Sequence, residues 1–564
     1  MSKKIVIVGG VAGGASAAAR LRRLDEFADI IMFDEGPFVS FSNCSIPFHI
    51  EGLIESSAEL LLMTPEKFDK QYNIKAKTYH KVLKINPDKR SVSVKNLISG
   101  EIHEESYDEL ILSPGSSAVM PKSIKGIDGE NVFAMKTIPH LTDFMSYLKR
   151  KQVKNIAVVG GGFIGIEVVQ ALKNAGYSVS LIEAQKQILA PLDYDMVQIV
   201  NREMDSQGVE LLPEESVVEI TDREVILASG KKVSAEAVIM SAGIRPNNEL
   251  ALDAGIEVND RGYIKVNQHY QTSLPHVYAI GDVIEVSDFF IGKRTLALAG
   301  PAQKQARAAA DHIYGRTCQN QGVIGSSSVK VFDLNIASTG WNEKQCITKG
   351  VDYRFAYIIP KDRVSIMPDA QNFFFKLIFA YPSGKILGAQ AISKGDASKR
   401  IDVIAAAIRN HAGLEDIKEL ELTYSPHYST AKDVVNHAAL VGLNILNGEV
   451  KKVSVSQVRE LVEQGAFIID SREEGEFAAG HLKNAKNIPL SEFRHRLDEI
   501  PRDKPVYVHC RSGQRSYNMV RALMQRGYEN VYNVEGSYLG ICEYEYFNDK
   551  TLKREPILSE YNFN

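Results

Sequence analysis

Ile156-Ala157-Val158-Val159-Gly160-Gly161-Gly162-Phe163-Ile164-Gly165 is the stretch on which the reading of this chain turns. The apolar run has the composition of a parallel strand buried on both faces. Gly160, Gly162 and Gly165 then complete a GxGxxG turn, followed by a helical pattern over 166–175 and a second strand, 178–182, that ends at Glu183. In that order these elements make a dinucleotide site: loop N–H groups and the helix dipole face a pyrophosphate, and the acid meets the adenosine ribose. Glu183 would bond a 2′-hydroxyl and repel a 2′-phosphate, which favours NADH; Lys186 nearby leaves NADPH open.

The same pattern stands at the start of the chain. Ile5 to Val8 reads as a strand, Gly9-Gly10-Val11-Ala12-Gly13-Gly14 as the turn, and Ala15 to Leu24 as a helix. Ile30 to Phe33 is a second strand that delivers Asp34, with Glu35 beside it, about 20 residues past the loop. Val11 takes the place of the second glycine, so this copy is less specific by itself. Tyr107 to Ser113, followed by Pro114-Gly115, reads as a further strand and turn. After Thr272, Val277-Tyr278-Ala279-Ile280-Gly281-Asp282 is a short strand ending in an acid suited to ribityl hydroxyls, and a helix containing Gln303 to Ile313 follows. Two dinucleotide sites imply a flavin and a nicotinamide, with the nicotinamide domain inserted into the flavin domain.

Ser40-Phe41-Ser42-Asn43-Cys44 follows the first nucleotide pattern, so Cys44 should lie close to what that pattern binds. No second thiol is near it; the next is Cys318. A redox-active Cys44 must therefore be oxidised to a mixed disulfide, a persulfide or a sulfenic acid. Arg20 and Arg23, three apart, share a helix face and read either as a phosphate clamp or as a solvated surface.

A chain of 564 residues is too long for one core. A net charge of -4 with 44% hydrophobic and 24% charged residues gives no nucleic-acid or anionic-membrane footprint. No apolar run approaches the roughly 18–20 residues that span a bilayer, and the short run after Met1-Ser2-Lys3-Lys4 reads as a strand rather than a signal peptide. Five scattered cysteines suit a reducing compartment. The expectation is a cytoplasmic enzyme acting on a small molecule, with no nucleic-acid or membrane partner. The histidines and cysteines show no metal spacing.

Near Leu446-Asn447-Gly448 the pattern changes. Val453 to Gln464 has a helical period, and Ala466 to Asp470 reads as a buried strand running into Ser471-Arg472. Glu476, Gly480-His481 and Asn487-Ile488-Pro489 come next. Val506 to His509 is a strand leading into Cys510-Arg511-Ser512-Gly513-Gln514-Arg515, with a helix beginning near Ser516. A thiol between a strand end and a helix N-terminus faces convergent N–H dipoles, and Arg511 and Arg515 add positive charge, a setting for an anionic sulfur. Cys318, Cys346 and Cys542 are given no role.

Residues 1 to about 445 resemble the pyridine nucleotide-disulfide oxidoreductases, in the coenzyme A-disulfide reductase branch with a single active cysteine. The resemblance rests on the two glycine loops, Ser40 to Cys44, Ala279 to Asp282, and Tyr424-Ser425-Pro426-His427-Tyr428-Ser429-Thr430-Ala431-Lys432-Asp433. It implies a homodimer in which Tyr424 or Tyr428 of one chain approaches Cys44 of the other, and coenzyme A contacts from Arg20, Arg23, Ser40 and Asn43. Asn43 is assigned to the cofactor side as well. Ala12 stands where peroxidase and water-forming oxidase relatives carry a histidine, which disfavours peroxide chemistry. Ser45 in place of a usual Gly, His427 in place of a common Pro, and no tyrosine before Met367-Pro368 are departures. The stretch from about 455 to 545 resembles a single rhodanese domain, and its six-residue loop from Cys510 to Arg515 suits a persulfide; related phosphatases use a longer one.

The expected fold is α/β. Two Rossmann-like domains, for FAD and NAD, are joined by an α+β dimerisation domain and a C-terminal α/β rhodanese domain. The expected boundaries are 1–120 and 245–325 for FAD, 121–244 for NAD(P)H, 326–446 for dimerisation, a linker 447–454, rhodanese 455–548 and a tail 549–564. The expected function is NADH-driven reduction of coenzyme A persulfide and polysulfide through Cys44, with Cys510 carrying sulfane sulfur. The alternatives are a coenzyme A-disulfide reductase that maintains a thiol pool and a sulfur-relay or redox-sensing flavoprotein.

Overall fold

A computed structural model of the chain describes residues 2–317 and 320–563; Cys318 lies outside them. The chain divides into two compact units, residues 1–184 with 215–323, and residues 185–214 with 324–564.

In the first unit, strand Lys4–Val8 pairs in parallel with Asp29–Phe33 on one side and Glu109–Leu112 on the other. Lys75–Lys77 extends the sheet at one edge, and Val277–Ala279 joins Glu109–Leu112 at the other. The chain thus leaves this sheet after Leu112 and returns to it at Val277, as the inserted-domain reading requires. Between them, Ser178–Glu183, Asn155–Val159, Ala237–Met240 and Val132–Ala134 form a second parallel sheet. The central strand of each is buried throughout its apolar run, which is why neither shows an alternating pattern. Helix Ala12–Leu24 starts three residues earlier than the helical period suggests, and Phe163–Asn174 likewise starts inside its glycine motif. Glycine has poor helix propensity, but helix–strand packing overrides it here.

In the second unit, five antiparallel strands run in the order Ser327–Val331, Leu334–Gly340, Ile386–Ser393, Phe373–Ala380, Tyr353–Ile358. Helices Ala397–Arg409 and Val434–Leu446 accompany this sheet. The last sheet is parallel, in the order Lys451–Val453, Val531–Val534, Val506–His509, Phe467–Asp470, Lys486–Asn487. Its first strand falls in the stretch expected as a linker, so Val453 is extended and the helix begins only at Val455. Helix Ser537–Leu552 likewise runs into the expected tail, and Leu558 bridges to Leu482. The helix after the Cys510 loop begins at Gln514 rather than near Ser516, with Gly513 at φ 108 as its N-cap.

The C-terminal sheet is held to the rest of its unit by buried polar contacts rather than by a tether. Arg202 Nε donates to Glu543 at 2.7 Å, Tyr194 Oη to Asn548 at 2.7 Å, Tyr357 N–H to Glu535 at 3.4 Å, and Lys452 Nζ to the Phe355 carbonyl. Glu535 and Glu543 are almost fully enclosed, and breaking such pairs strands a buried charge. Among the described residues no helix is long and apolar enough to cross a membrane.

Candidate functional site

Gly9 turns the chain at φ 95, and a Cβ there would stand 2.1 Å from the Ser113 carbonyl oxygen; one at Gly14 would stand 1.8 Å from the Gly9 carbonyl oxygen. The second glycine loop repeats this contact, with a Cβ on Gly165 falling 2.0 Å from the Gly160 oxygen. Both loops therefore seat a helix N-terminus against a strand end, and no side chain caps either helix at Val11 or Gly162. A Cβ on Gly162 would meet nothing within 4 Å, the open side on which a pyrophosphate can approach backbone. Asp34 accepts from Gly10 N–H at 2.8 Å and Gly36 N–H at 2.8 Å, while Glu183 accepts from Gly161 N–H at 2.7 Å. Burial raises the Asp34 pKa, and its two N–H donors oppose the rise. Gly13 is buried beside Ser113, and Ala12 opens the first helix. The two loops thus fit an FAD and an NAD(H) pyrophosphate. Glu35, by contrast, is exposed and paired with Lys81 at 2.9 Å, so of the two adjacent acids only Asp34 reaches the loop.

Cys44 lies in a single turn, Asn43–Ser45, ahead of helix Ile46–Ile50. Ser40, at φ 48, ties this segment to the first glycine loop: its N–H donates to the Gly10 carbonyl at 2.7 Å. A non-glycine residue in that left-handed region is held there by its surroundings. Cys44 is exposed, with Sγ 3.8 Å from Asn43 Oδ1. Partial enclosure of the thiol and the negative charges of Glu167 and Asp282 push its pKa up. Asp282 accepts from Ser116 Oγ at 2.9 Å and pairs with Lys136 at 3.4 Å; Gly281 N–H donates to Gln305 at 2.7 Å. Burial raises Glu167 to about 7.

Glu167 and Lys136 were not read from the sequence. Glu167 interrupts the apolar run Ile164-Gly165-Ile166-Glu167-Val168-Val169, a signal that could have marked it; Lys136 had none. Arg20 is committed to Asp311 at 2.8 Å through Nε, so its guanidinium serves an internal ion pair, while Arg23 is exposed.

In the second unit, Tyr424 and Tyr428 are 51% and 72% exposed on an irregular segment, a presentation that leaves their rings to solvent or a partner. Cys510 is 1% exposed, and its Sγ accepts from Gly513 N–H at 3.1 Å and Ser516 Oγ at 3.6 Å. Ser537, absent from the sequence reading, accepts from Cys510 N–H at 3.2 Å. Arg515 forms a two-pronged pair with Glu476 at 2.6 and 2.7 Å, and Arg511 donates to the Asn562 carbonyl at 3.2 Å. Glu476 thus orients the Arg515 guanidinium, which also lies within bonding reach of the Cys510 sulfur. Beneath the loop, Asp470 holds Arg472 at 2.9 Å, and Arg472 donates to the Gly480 carbonyl at 2.7 Å, a buried brace. Cys346 and Cys542 are buried, with pKa values pushed by burial to about 12 and about 11, which makes both poor nucleophiles. Asp193, Asp195 and Glu343 converge as a metal site would, but the Lys376 ammonium lies among them, at 2.8 Å from Asp195.

The family model for pyridine nucleotide-disulphide oxidoreductases matches residues 3–306, that for their dimerisation domain residues 326–435, and that for a rhodanese-like domain residues 454–544. A coenzyme A disulfide reductase of Staphylococcus epidermidis is 33% identical over 435 residues, covering 77% of this chain and 98% of that protein. The reduced CoADR-RHD of Bacillus anthracis superposes with a TM-score of 0.93 at 40% identity, over 96% of this chain and 98% of that one. An NAD-dependent persulfide reductase from A. fulgidus gives a TM-score of 0.90 at 31% identity, over 95% and 99%.

Proposed function

The chain belongs to the pyridine nucleotide-disulphide oxidoreductase family, and from that premise we propose that this NADH-dependent flavoprotein reduces coenzyme A persulfide, and polysulfide, to thiol and sulfide. The observation that carries the reading is one lone thiol, Cys44, at the flavin loop, joined on one chain to a loop built around Cys510. Bound FAD and NADH supply a two-electron reductant. Cys44 Sγ attacks one sulfur of the substrate S–S bond, the other leaves as a thiolate and is protonated, and Cys44 is left in a persulfide or a mixed disulfide. Two-electron reduction restores the Cys44 thiolate and releases sulfide or coenzyme A. The sum is CoA–S–SH + NADH + H⁺ → CoA–SH + H₂S + NAD⁺.

In a homodimer, the partner subunit's Tyr424 and Tyr428 supply the proton for the leaving sulfur. Ser40 and Asn43, with Arg23, form the coenzyme A side of the site. Cys510 takes sulfane sulfur from polysulfide, and the Gly513 N–H and Ser516 hydroxyl, which bond its Sγ, steady the thiolate that attacks. The Arg202–Glu543 pair fixes the C-terminal sheet within its own unit, and a diffusing thiol carries sulfur from Cys510.

The second reading, a coenzyme A-disulfide reductase, is supported by the similarity to the staphylococcal coenzyme A disulfide reductase. Anaerobic NADH oxidation with coenzyme A persulfide and with coenzyme A disulfide, sulfide assayed in parallel, separates the two. A larger kcat/KM for the persulfide with one sulfide per NADH supports the first reading, and a larger value for the disulfide overturns it.

A further inference from the structure

We infer that Arg400 is a positioning residue for S–S cleavage, fixing the geometry at which Tyr424 and Tyr428 are presented; this rests on the reading that those tyrosines complete the partner's Cys44 site. Arg400 stands on helix Ala397–Arg409 and is 3% exposed, so its charge has been taken out of water. One guanidinium nitrogen, Nη2, reaches three separate groups: the Tyr428 carbonyl at 3.0 Å, the Asp362 carbonyl at 3.1 Å and Asp433 Oδ2 at 3.3 Å. Nη1 donates to the Asp396 carbonyl at 3.2 Å, which anchors the group to its own helix start. Asp433, also buried, turns its other oxygen to Val435 N–H at 3.1 Å and so caps helix Val434–Leu446.

The segment between Thr423 and Asp433 has no regular secondary structure and exposes both tyrosine rings. Within it, Ser429 is fully buried, its hydroxyl donates to the Thr423 carbonyl at 3.2 Å, and Tyr428 N–H donates to the Ser425 carbonyl at 2.9 Å. These bonds close the segment on itself. The Arg400 contact with the Tyr428 carbonyl is what joins that closed turn to a helix of the sheet domain. The same nitrogen fixes Asp362, where the loop carrying Met367-Pro368 leaves the sheet. A buried, charge-assisted fork spanning three elements suits arginine; a lysine has one donor atom on a flexible stem and cannot serve the same set.

The test compares Arg400→Met, Arg400→Lys and Tyr424→Phe/Tyr428→Phe, alone and with each arginine variant added to the tyrosine pair. The substrates are coenzyme A disulfide and, separately, ferricyanide as an electron acceptor that requires no tyrosine. Arg400→Lys retains a cation beside Asp433 and so remains folded should Arg400→Met not. The expected result is unchanged NADH–ferricyanide turnover, with kcat/KM for the disulfide lowered by about 100-fold, the cost of a misplaced reacting group. In the tyrosine-pair background either arginine variant should cost less than about threefold more, because residues acting through one another are non-additive. Full multiplicativity, or normal disulfide turnover in both arginine variants, overturns the inference while leaving the reading of the site intact. Normal disulfide turnover in Tyr424→Phe/Tyr428→Phe overturns that reading and the inference with it.

Discussion

Replacing Lys376 with Met should destabilise the second unit in a manner that depends on pH in a defined direction. Lys376 is fully buried and lies 3.2 Å from Asp193, 2.8 Å from Asp195 and 2.5 Å from Glu343. Burial disfavours its ammonium, but the three carboxylates outweigh that cost and hold its pKa above the ordinary lysine range. Removing one partner of a buried ion pair costs about 3–5 kcal/mol, because the other charge is stranded. For a unit of this size that corresponds to a fall in Tm of about 6–10 °C. Burial already raises Asp193 to about 6 against the opposing effect of Lys376. Its contribution to native stability is therefore full below 3.8, the ordinary aspartate value, and lost as pH rises through about 6.

Without the ammonium, the main effect opposing the rise of Asp193 is gone, so its carboxyl holds its proton to higher pH, while the unfolded chain is ionised between pH 6 and 8. The folded variant then binds up to one more proton than the unfolded chain, and its stability rises by up to about 1.4 kcal/mol for each pH unit lowered. The native chain takes up part of the same proton as pH approaches 6, so the difference between the two should close by up to about 2.3 kcal/mol between pH 8 and pH 6. Thermal and urea unfolding followed by circular dichroism at pH 6, 7 and 8 would read this directly. A Lys376→Met chain within about 1 kcal/mol of the native one at pH 8, or a difference that does not vary with pH, would refute the account of a buried charge cluster.

Cys44→Ser should abolish turnover of every S–S substrate, whereas Cys510→Ser should chiefly impair polysulfide and spare coenzyme A disulfide; sulfide release from Cys44→Ser would defeat the mechanism. Glu167→Gln removes a negative charge beside Cys44, so alkylation of Cys44 by iodoacetamide should quicken about threefold at pH 8 and change little at pH 6, where Glu167 is already protonated. Equal rates for both proteins at pH 8 would exclude that coupling. Glu183→Ala frees the Gly161 N–H and removes the charge that repels a 2′-phosphate, so the ratio of NADPH to NADH kcat/KM should rise about tenfold, measured by initial rates. An unaltered ratio would remove Glu183 from cofactor selection.

Both nucleotide folds were legible because their information is local. An apolar run, glycines at fixed offsets and an acid after the next strand lie within some thirty residues, and Gly14 and Gly165 are required by contacts with their own loops. The single thiol at Cys44 and the strand–loop–helix setting of Cys510 were legible for the same reason. Element starts were less so: the strand Lys451–Val453 is short and carries two lysines, so neither period nor composition marks it, and only pairing with Val531–Val534 makes it a strand.

The sequence by itself determined the order of the domains, the two pyrophosphate loops and the two sulfur-bearing cysteines. Tertiary structure alone decided what surrounds them. Asp34 rather than Glu35 turned to the loop, Arg20 was drawn to Asp311, and Arg515 to Glu476. Lys376 was placed among acids contributed from Asp193 to Glu343, and Arg400 under the tyrosine segment. The physical reason is that a charged side chain shows no period and no spacing signal in the sequence. Its role is set by whichever opposite charge or carbonyl the packed sheets and helices bring within about 3 Å, and burial then makes that pairing obligatory.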